Sequence, residues 1–278
     1  AAGPGGRRQP PHYRPALPGR AFSDVMGPRP LGGRLRAVRR LSCLLVWMLC
    51  CMPVQAVLLA LPGRGKIRFA RVFWRNACRL FGLEVRVLGV APAGPRALYL
   101  SNHSSWLDIL VLNAAMPVFF VSKSEVAGWP GINILTRVTN THFVVRDPRL
   151  ASAQAREFAE RIQAGHRLLF FPEGTSTDGR RVLPFKPTLF QAFLDPALPP
   201  GLAIQPVSVH YEAPSGRDPR FYGWWGDMDL GPHLLAVLAM RRQGCVTVVM
   251  HDPIPVVGQS RKTLSTAAED AVRQGLRI

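Results

Sequence analysis

His103 and Asp108 lie five positions apart in the stretch NHSSWLD, between the apolar runs ALYL (Ala97–Leu100) and ILVL (Ile109–Leu112). A histidine can take a proton near neutral pH, and a carboxylate on its far ring nitrogen fixes the tautomer and steadies the imidazolium. On one continuous α-helix a five-residue offset rotates about 500°, leaving the side chains roughly 140° apart. The two can meet only if His103 sits on a strand-to-helix turn and Asp108 in the first turn of the helix. Ser105 would then stand at the N-cap, with Asp108 completing the S-x-x-D pattern of a capping box. Two readings remain open: Asp108 steers a catalytic imidazole, or Asp108 caps a helix while His103 fills a loop.

Other polar residues fall where apolar runs end. Lys123 closes FFVSK, Arg146 and Asp147 close FVVRD, and Glu173 follows LLFFP with Gly174 and Thr175 after it. If those runs are parallel strands, their carboxyl ends share one edge, where ligands of open α/β sheets bind. A base, two cations and carboxylates would then meet in one crevice. FPEGT also reads as a plain strand-to-turn junction, with Gly174 supplying the bend. Ser104 and Ser105 suggest a hydrolase, but no G-x-S-x-G elbow exists and adjacent Ser and His rarely align as nucleophile and base. The cysteines at 43, 50, 51, 78 and 245 form no CxxC pair or zinc-spaced cluster, so we expect no metal and no disulfide framework. The aromatic group Phe221, Tyr222, Trp224 and Trp225 suits an acyl channel or an ordinary core.

The elements that must place these residues are legible from period and length. Strands are expected at 83–90, 97–102, 118–123, 142–146, 167–172, 203–211 and 246–251. Helices are expected at 107–116, after Pro130, at 149–163, near 230–242 and near 261–275. Alternation of this kind gives an α/β class, with a mixed, largely parallel sheet flanked by helices.

Upstream the texture differs. Residues 1–40 carry nine Arg and one Asp among many Gly and Pro, which reads as a disordered basic tail. Residues 41–60 hold no charge, enough as a helix to span roughly 30 Å. Pro53 leaves a re-entrant hairpin or in-plane helix open beside a span, and a buried soluble helix is the plainer alternative. Arg64, Arg68, Arg71, Arg75 and Arg79 then form one helical stripe beside an apolar stripe of Ile67, Ala70, Trp74, Ala77 and Phe81. That pattern suits a helix at a membrane interface, or one packed on the domain. The expected division is a tail at 1–40, a membrane segment with amphipathic basic helix at 41–81, and an α/β domain at 82–278.

The 278 residues carry a net charge of +18, from 35 Lys+Arg against 17 Asp+Glu. Such a balance points to an anionic partner. A nucleic-acid-binding protein is the rival class, but the charge gathers before residue 82 beside an uncharged segment, and no nucleic-acid motif is visible.

NHSSWLD resembles the His-x4-Asp block of the glycerophospholipid acyltransferases typified by 1-acyl-sn-glycerol-3-phosphate acyltransferase. FVVRD, FPEGT and AIQPVSV resemble three further blocks of that family, in order, and FVSKSEVAGWPGIN and VLPFKPTLF have its look. The resemblance covers roughly residues 66–255. It implies the glycerolipid acyltransferase fold behind an N-terminal membrane-associated segment. His103 and Asp108 would be catalytic, and Lys123, Arg146, Glu173, Gly174 and Thr175 would bind the acceptor. No cofactor is implied; acyl-carrier protein or acyl-CoA would bring the acyl group. The implied product is phosphatidic acid from 1-acyl-glycerol-3-phosphate, at the cytoplasmic side of the cell inner membrane. One departure opens an alternative acceptor: Ser176 stands where many members have Arg after EGT. The stretches GTSTDG and GWWGDMDLGPHL look like the lyso-ornithine lipid acyltransferase branch.

Overall fold

A computed structural model of the chain describes residues 20–63, 65–90, 97–116, 118–123, 142–144, 159–196, 198 and 200–276. Three helices come first: α1 (Arg20–Met26), α2 (Gly33–Ala60) and α3 (Gly65–Phe81). Strands β1 (Glu84–Gly89) and β2 (Ala97–Ser101) follow, then α4 (Leu107–Ala115), β3 (Phe119–Lys123) and β4 (His142–Val144). Residues 159–163 are helical and lead to β5 (Leu168–Phe170). A short helix α5 (Pro187–Phe190), β6 (Ala203–Tyr211), α6 (Leu230–Ala239), β7 (Cys245–Met250), β8 (Ile254–Pro255) and α7 (Arg261–Gln274) complete the chain.

The strands form one sheet in the order β1-β7-β6-β2-β5-β3-β4, with β8 also on β6. All pairings are parallel except those of β6 with β7 and β8. The expected mixed, largely parallel sheet is therefore present. β2 lies inside it, all five residues buried, with β6 on one side and β5 on the other. Its side chains alternate between two cores. Ala97 and Tyr99 join α3, α4 and α6 on one face; Leu98 and Leu100 join Phe185, Phe190 and α7 on the other. Burial on both faces is why ALYL reads as a continuous apolar run rather than an alternating one.

Residues 20–40, expected as tail, are instead largely helical. Val25 and Met26 are buried in the core, and α2 begins at Gly33, eight positions before the uncharged run. Two of the arginines that suggested disorder, Arg36 and Arg40, are bound to the domain. Arg36 donates to the carbonyl of Ala239, and Arg40 to those of Leu238 and Met240 at 3.0 and 2.9 Å. Those carbonyls end α6, which has no basic residue in its own last turn.

Of the two readings of α3, the structure shows packing on the domain. Its apolar stripe faces the domain: Trp74, Ala77 and Phe81 are buried, with Cys78 beside them. Arg71 donates to the carbonyl of Ala115 at 2.9 Å and Arg75 to that of Ala114 at 3.3 Å. The C-terminus of α4 also lacks a basic residue of its own. Helix C-termini hold unsatisfied carbonyls and partial negative charge, so cations placed there are stabilising by roughly 0.3–1 kcal/mol. Part of the net positive charge is thus spent inside the fold rather than on an external partner.

Helix α2 keeps its apolar surface uncovered. Leu45, Val46, Leu49, Met52, Val57 and Leu59 are exposed, and its most apolar 18-residue window is only 6% buried. It runs through Pro53, spans about 42 Å at helical rise and is long and apolar enough to cross a membrane. Trp47 stacks on Phe73 at 6.3 Å and donates to its carbonyl at 3.2 Å, so α3 folds back along α2.

Candidate active site

The turn after β2 is fixed by side chains that bond the main chain. Asn102 extends the ladder beyond the strand: its side-chain amide donates through Nδ2 to the carbonyl of Val209 at 2.9 Å and accepts at Oδ1 from Val209 N–H at 2.8 Å. The chain then leaves the sheet, and α4 begins at Leu107 with Trp106 as N-cap. Asp108 sits in the first helical turn, fully buried. Its Oδ2 accepts from His103 Nδ1 at 2.7 Å, from Ser104 N–H at 2.8 Å and from Ser105 N–H at 3.0 Å. His103 therefore lies on the turn and meets Asp108, as the five-residue spacing requires. The capping box does not form as expected: Ser105 Oγ has no partner among the described residues, and the carboxylate itself takes the free N–H groups. Those two N–H groups are thereby occupied.

With Nδ1 donating to a carboxylate, Nε2 is the nitrogen left to act as base. The ring stacks on Phe171 at 4.2 Å and 16°, and its side chain stays 22% accessible. No described residue bonds Nε2. The carbonyl of His103 accepts from Thr177 N–H at 2.9 Å, and that of Ser104 from Trp224 N–H at 2.8 Å. Loops 174–181 and 220–225 thus clamp the turn from two directions. Gly223 is required there, because a Cβ would come within 2.8 Å of the Asp178 backbone.

Glu173 follows β5, next to β2 in the sheet. Its Oε1 accepts from His103 N–H and its Oε2 from Leu183 N–H, both at 2.7 Å. The residue is 1% exposed, and burial pushes its carboxyl up to about 8 against the pull of those two donors. Sequence suggested a substrate contact; in the structure both oxygens serve the chain. Gly174 has φ 72 and makes the expected bend, and Thr175 is exposed beside it. The Lys186 ammonium lies over Gly174, 2.7 Å from where a Cβ would stand. Arg180 and Arg181 are exposed, and Arg181 reaches Asp178 at 3.6 Å.

The backbone of Lys123 ends β3, on the same edge as His103 and Glu173. Arg146, Asp147, Glu125 and the helix expected after Pro130 lie outside the described residues. Among the described residues no His, Cys, Asp and Glu group could hold a metal ion. Phe221 and Tyr222 are buried core residues, whereas Trp224 and Trp225 are only partly buried.

Two contributors escaped sequence reading. Tyr211, at the end of β6, donates from its hydroxyl to Asp108 Oδ1 at 2.7 Å. Trp106 donates from Nε1 to Nδ1 of the buried His233 at 2.9 Å, tying the N-cap of α4 to α6. Neither partner lies within a hundred residues of the turn, so no local spacing signals them.

A carboxylate-steered imidazole with one open nitrogen, at the carboxyl edge of a parallel sheet, can take a proton from an attacking hydroxyl. Comparison with known proteins agrees with that chemistry. Residues 82–210 match the family model described as Acyltransferase. A lyso-ornithine lipid O-acyltransferase of Rhodobacter capsulatus is 52% identical over 206 residues, 74% of each chain. A 1-acyl-sn-glycerol-3-phosphate acyltransferase of Neisseria gonorrhoeae is 29% identical over 65% of this chain and 70% of its own. Among solved structures, the 1-acyl-sn-glycerophosphate acyltransferase of Thermotoga maritima superposes with a TM-score of 0.59 at 22% identity. That match covers 87% of this chain and 96% of the other.

Proposed function

The chain belongs to the acyltransferase family, and from that premise we propose that it moves a fatty acyl group from a thioester to the free hydroxyl of lyso-ornithine lipid. The carrying observation for the chemistry is the His103 Nδ1 to Asp108 Oδ2 contact of 2.7 Å, with Nε2 left open. Nε2 takes the hydroxyl proton as the lipid oxygen bonds to the thioester carbonyl carbon. Collapse of the tetrahedral adduct breaks the C–S bond, and the imidazolium returns its proton to the leaving thiolate. Such base assistance supplies about 10²–10⁴-fold. Acyl-carrier protein or acyl-CoA serves as donor, and the reaction as written uses no metal or cofactor.

The acceptor reading rests on the 52% identity with the Rhodobacter capsulatus enzyme and on Ser176 replacing an arginine after EGT. An ornithine head group offers a carboxylate and an ammonium where glycerol phosphate offers a phosphate, so one fewer fixed cation suits it. A second reading, 1-acyl-glycerol-3-phosphate as acceptor, is supported by the Neisseria gonorrhoeae relative.

The proposed location is the cytoplasmic face of the inner membrane. Both ends of the uncharged run return to the domain, one through Arg36 and Arg40 and the other through Arg71 and Arg75. An antiparallel hairpin held at both ends enters the bilayer from the side that holds the active site.

Purified protein in mixed micelles, given acyl-carrier-protein and CoA thioesters, should acylate lyso-ornithine lipid faster than 1-acyl-glycerol-3-phosphate. Equal or faster use of the phosphate lipid would replace the acceptor. His103→Ala should fold and transfer nothing; retained transfer would remove the general-base role.

A further inference from the structure

We propose that Tyr211 is a positioning residue of the acyl-transfer site. Its phenol holds Asp108 Oδ1, so that Oδ2 stays aimed at His103 Nδ1. This rests on the general-base reading of His103.

Asp108 is fully buried, and among the described residues no lysine or arginine bonds it. A buried carboxylate without a cation depends on hydrogen-bond donors to remain ionised. Oδ2 already serves three: the imidazole and the N–H groups of Ser104 and Ser105. Oδ1 has the Tyr211 hydroxyl, at 2.7 Å. Without that donor the oxygen would lie bare in the core, and the carboxylate could rotate about χ2.

Tyr211 is itself immobile. It is 5% exposed at the end of β6, and its ring lies 5.5 Å from that of Tyr222. Tyr222 is held in turn, donating to Gln243 at 2.7 Å and accepting from Gly244 N–H at 2.8 Å. The register of β2 on β6 sets the reach: Ser101 pairs with Val207, Asn102 clasps Val209, and Tyr211 then overhangs the turn. The ionisable groups around this pair are His103 and Asp108 on the turn, Glu173 after β5, Cys78 on α3 and Tyr222. Burial, then the Asp108 charge, holds the Tyr211 phenol well above its ordinary range, so it remains a donor throughout the working pH range.

Removing the donor leaves Asp108 a stronger base. It then grips the imidazolium proton more firmly, and a higher pH is needed to free the ring. Tyr211→Phe should lower kcat/KM by roughly ten- to hundredfold, the worth of a hydrogen bond to a charged group. It should also move the acid limb of the kcat/KM profile upward by roughly half to one pH unit. Fluorotyrosine at position 211, a stronger donor of nearly the same shape, should move that limb downward. A passive packing role would move neither limb. If Tyr211→Phe does not fold, the fluorotyrosine protein decides alone. A limb that stays in place in every folded variant overturns the proposal. His103→Ala, measured alongside, separates the outcomes: activity there would remove the general-base reading itself.

Discussion

The backbone N–H of His103 donates to the Glu173 carboxylate at 2.7 Å, joining the turn after β2 to the turn after β5. Glu173 also receives Leu183 N–H, so its two oxygens tie together three segments of the site. A protonated carboxyl keeps lone pairs on both oxygens and still serves both donors; an amide offers only one acceptor. Glu173→Gln should therefore lower kcat well below the wild-type value, about tenfold, by leaving one buried N–H facing another. Steady-state kinetics on the folded variant checks this, and an unchanged kcat would contradict it.

The same residue sets an alkaline limit on stability. Burial raises its carboxyl from the ordinary 4.5 to about 8, so the folded chain holds a proton there that the unfolded chain has lost. Its contribution is whole below 4.5 and is lost as pH rises through about 8. The histidines that burial holds low, His166, His210, His233 and His251, give a slope of opposite sign where their unfolded forms still bind protons, and wild type and Glu173→Gln share them. Between pH 6.5 and 8 the unfolding free energy of wild type, taken relative to that of Glu173→Gln, should therefore fall by up to about 1.4 kcal/mol per pH unit. Denaturant titrations of both proteins across that range check this, and a difference that stays constant with pH would contradict it.

Phe171 forms the wall on which the His103 ring stacks, and Phe120 backs it at 5.8 Å. Phe171→Ala should free the imidazole from its plane and reduce kcat about tenfold, with KM little changed. A variant that loses KM instead would mark Phe171 as a substrate contact.

Gly244 lies where no side chain fits: a Cβ would stand 1.7 Å from the Glu212 carbonyl oxygen. Both groups are backbone and cannot yield cheaply. Gly244→Ala should destabilise the fold by roughly 3 kcal/mol or more. A denaturation midpoint equal to wild type would refute the placement of this turn.

Leu45 and Leu49 are 51% and 58% exposed on α2. The double change Leu45→Asp and Leu49→Asp should weaken membrane binding, by at most about 4 kcal/mol per site. Vesicle flotation reads this directly, and turnover of a water-soluble acceptor analogue should persist.

What could be read in advance follows range. The His103–Asp108 contact was legible as one of two readings, because that spacing lets the pair meet only across a strand-to-helix turn, and the family resemblance favoured it. Strands with two buried faces were legible as apolar runs. The arginine stripe gave the correct helix but left its surroundings open, since period fixes a face and says nothing of what covers it. Arg71 and Arg75 meet carbonyls of α4. Glu173 was found as a site residue, but its inward aim depends on Leu183 and on strand order. Tyr211 was invisible, because the register that brings it to Asp108 is a property of the sheet.

Helix α3 is shared property: one half lies along α2, and the other buries Trp74, Ala77, Cys78 and Phe81 beside α4. Cutting the chain just ahead of β1 would therefore not liberate a water-soluble catalyst. It would strip the greasy underside of the helix that bears Asp108 and leave an adhesive scar. Evolution faces the same obstacle as the engineer, and a descendant that sheds α2 and α3 would have to resurface that scar.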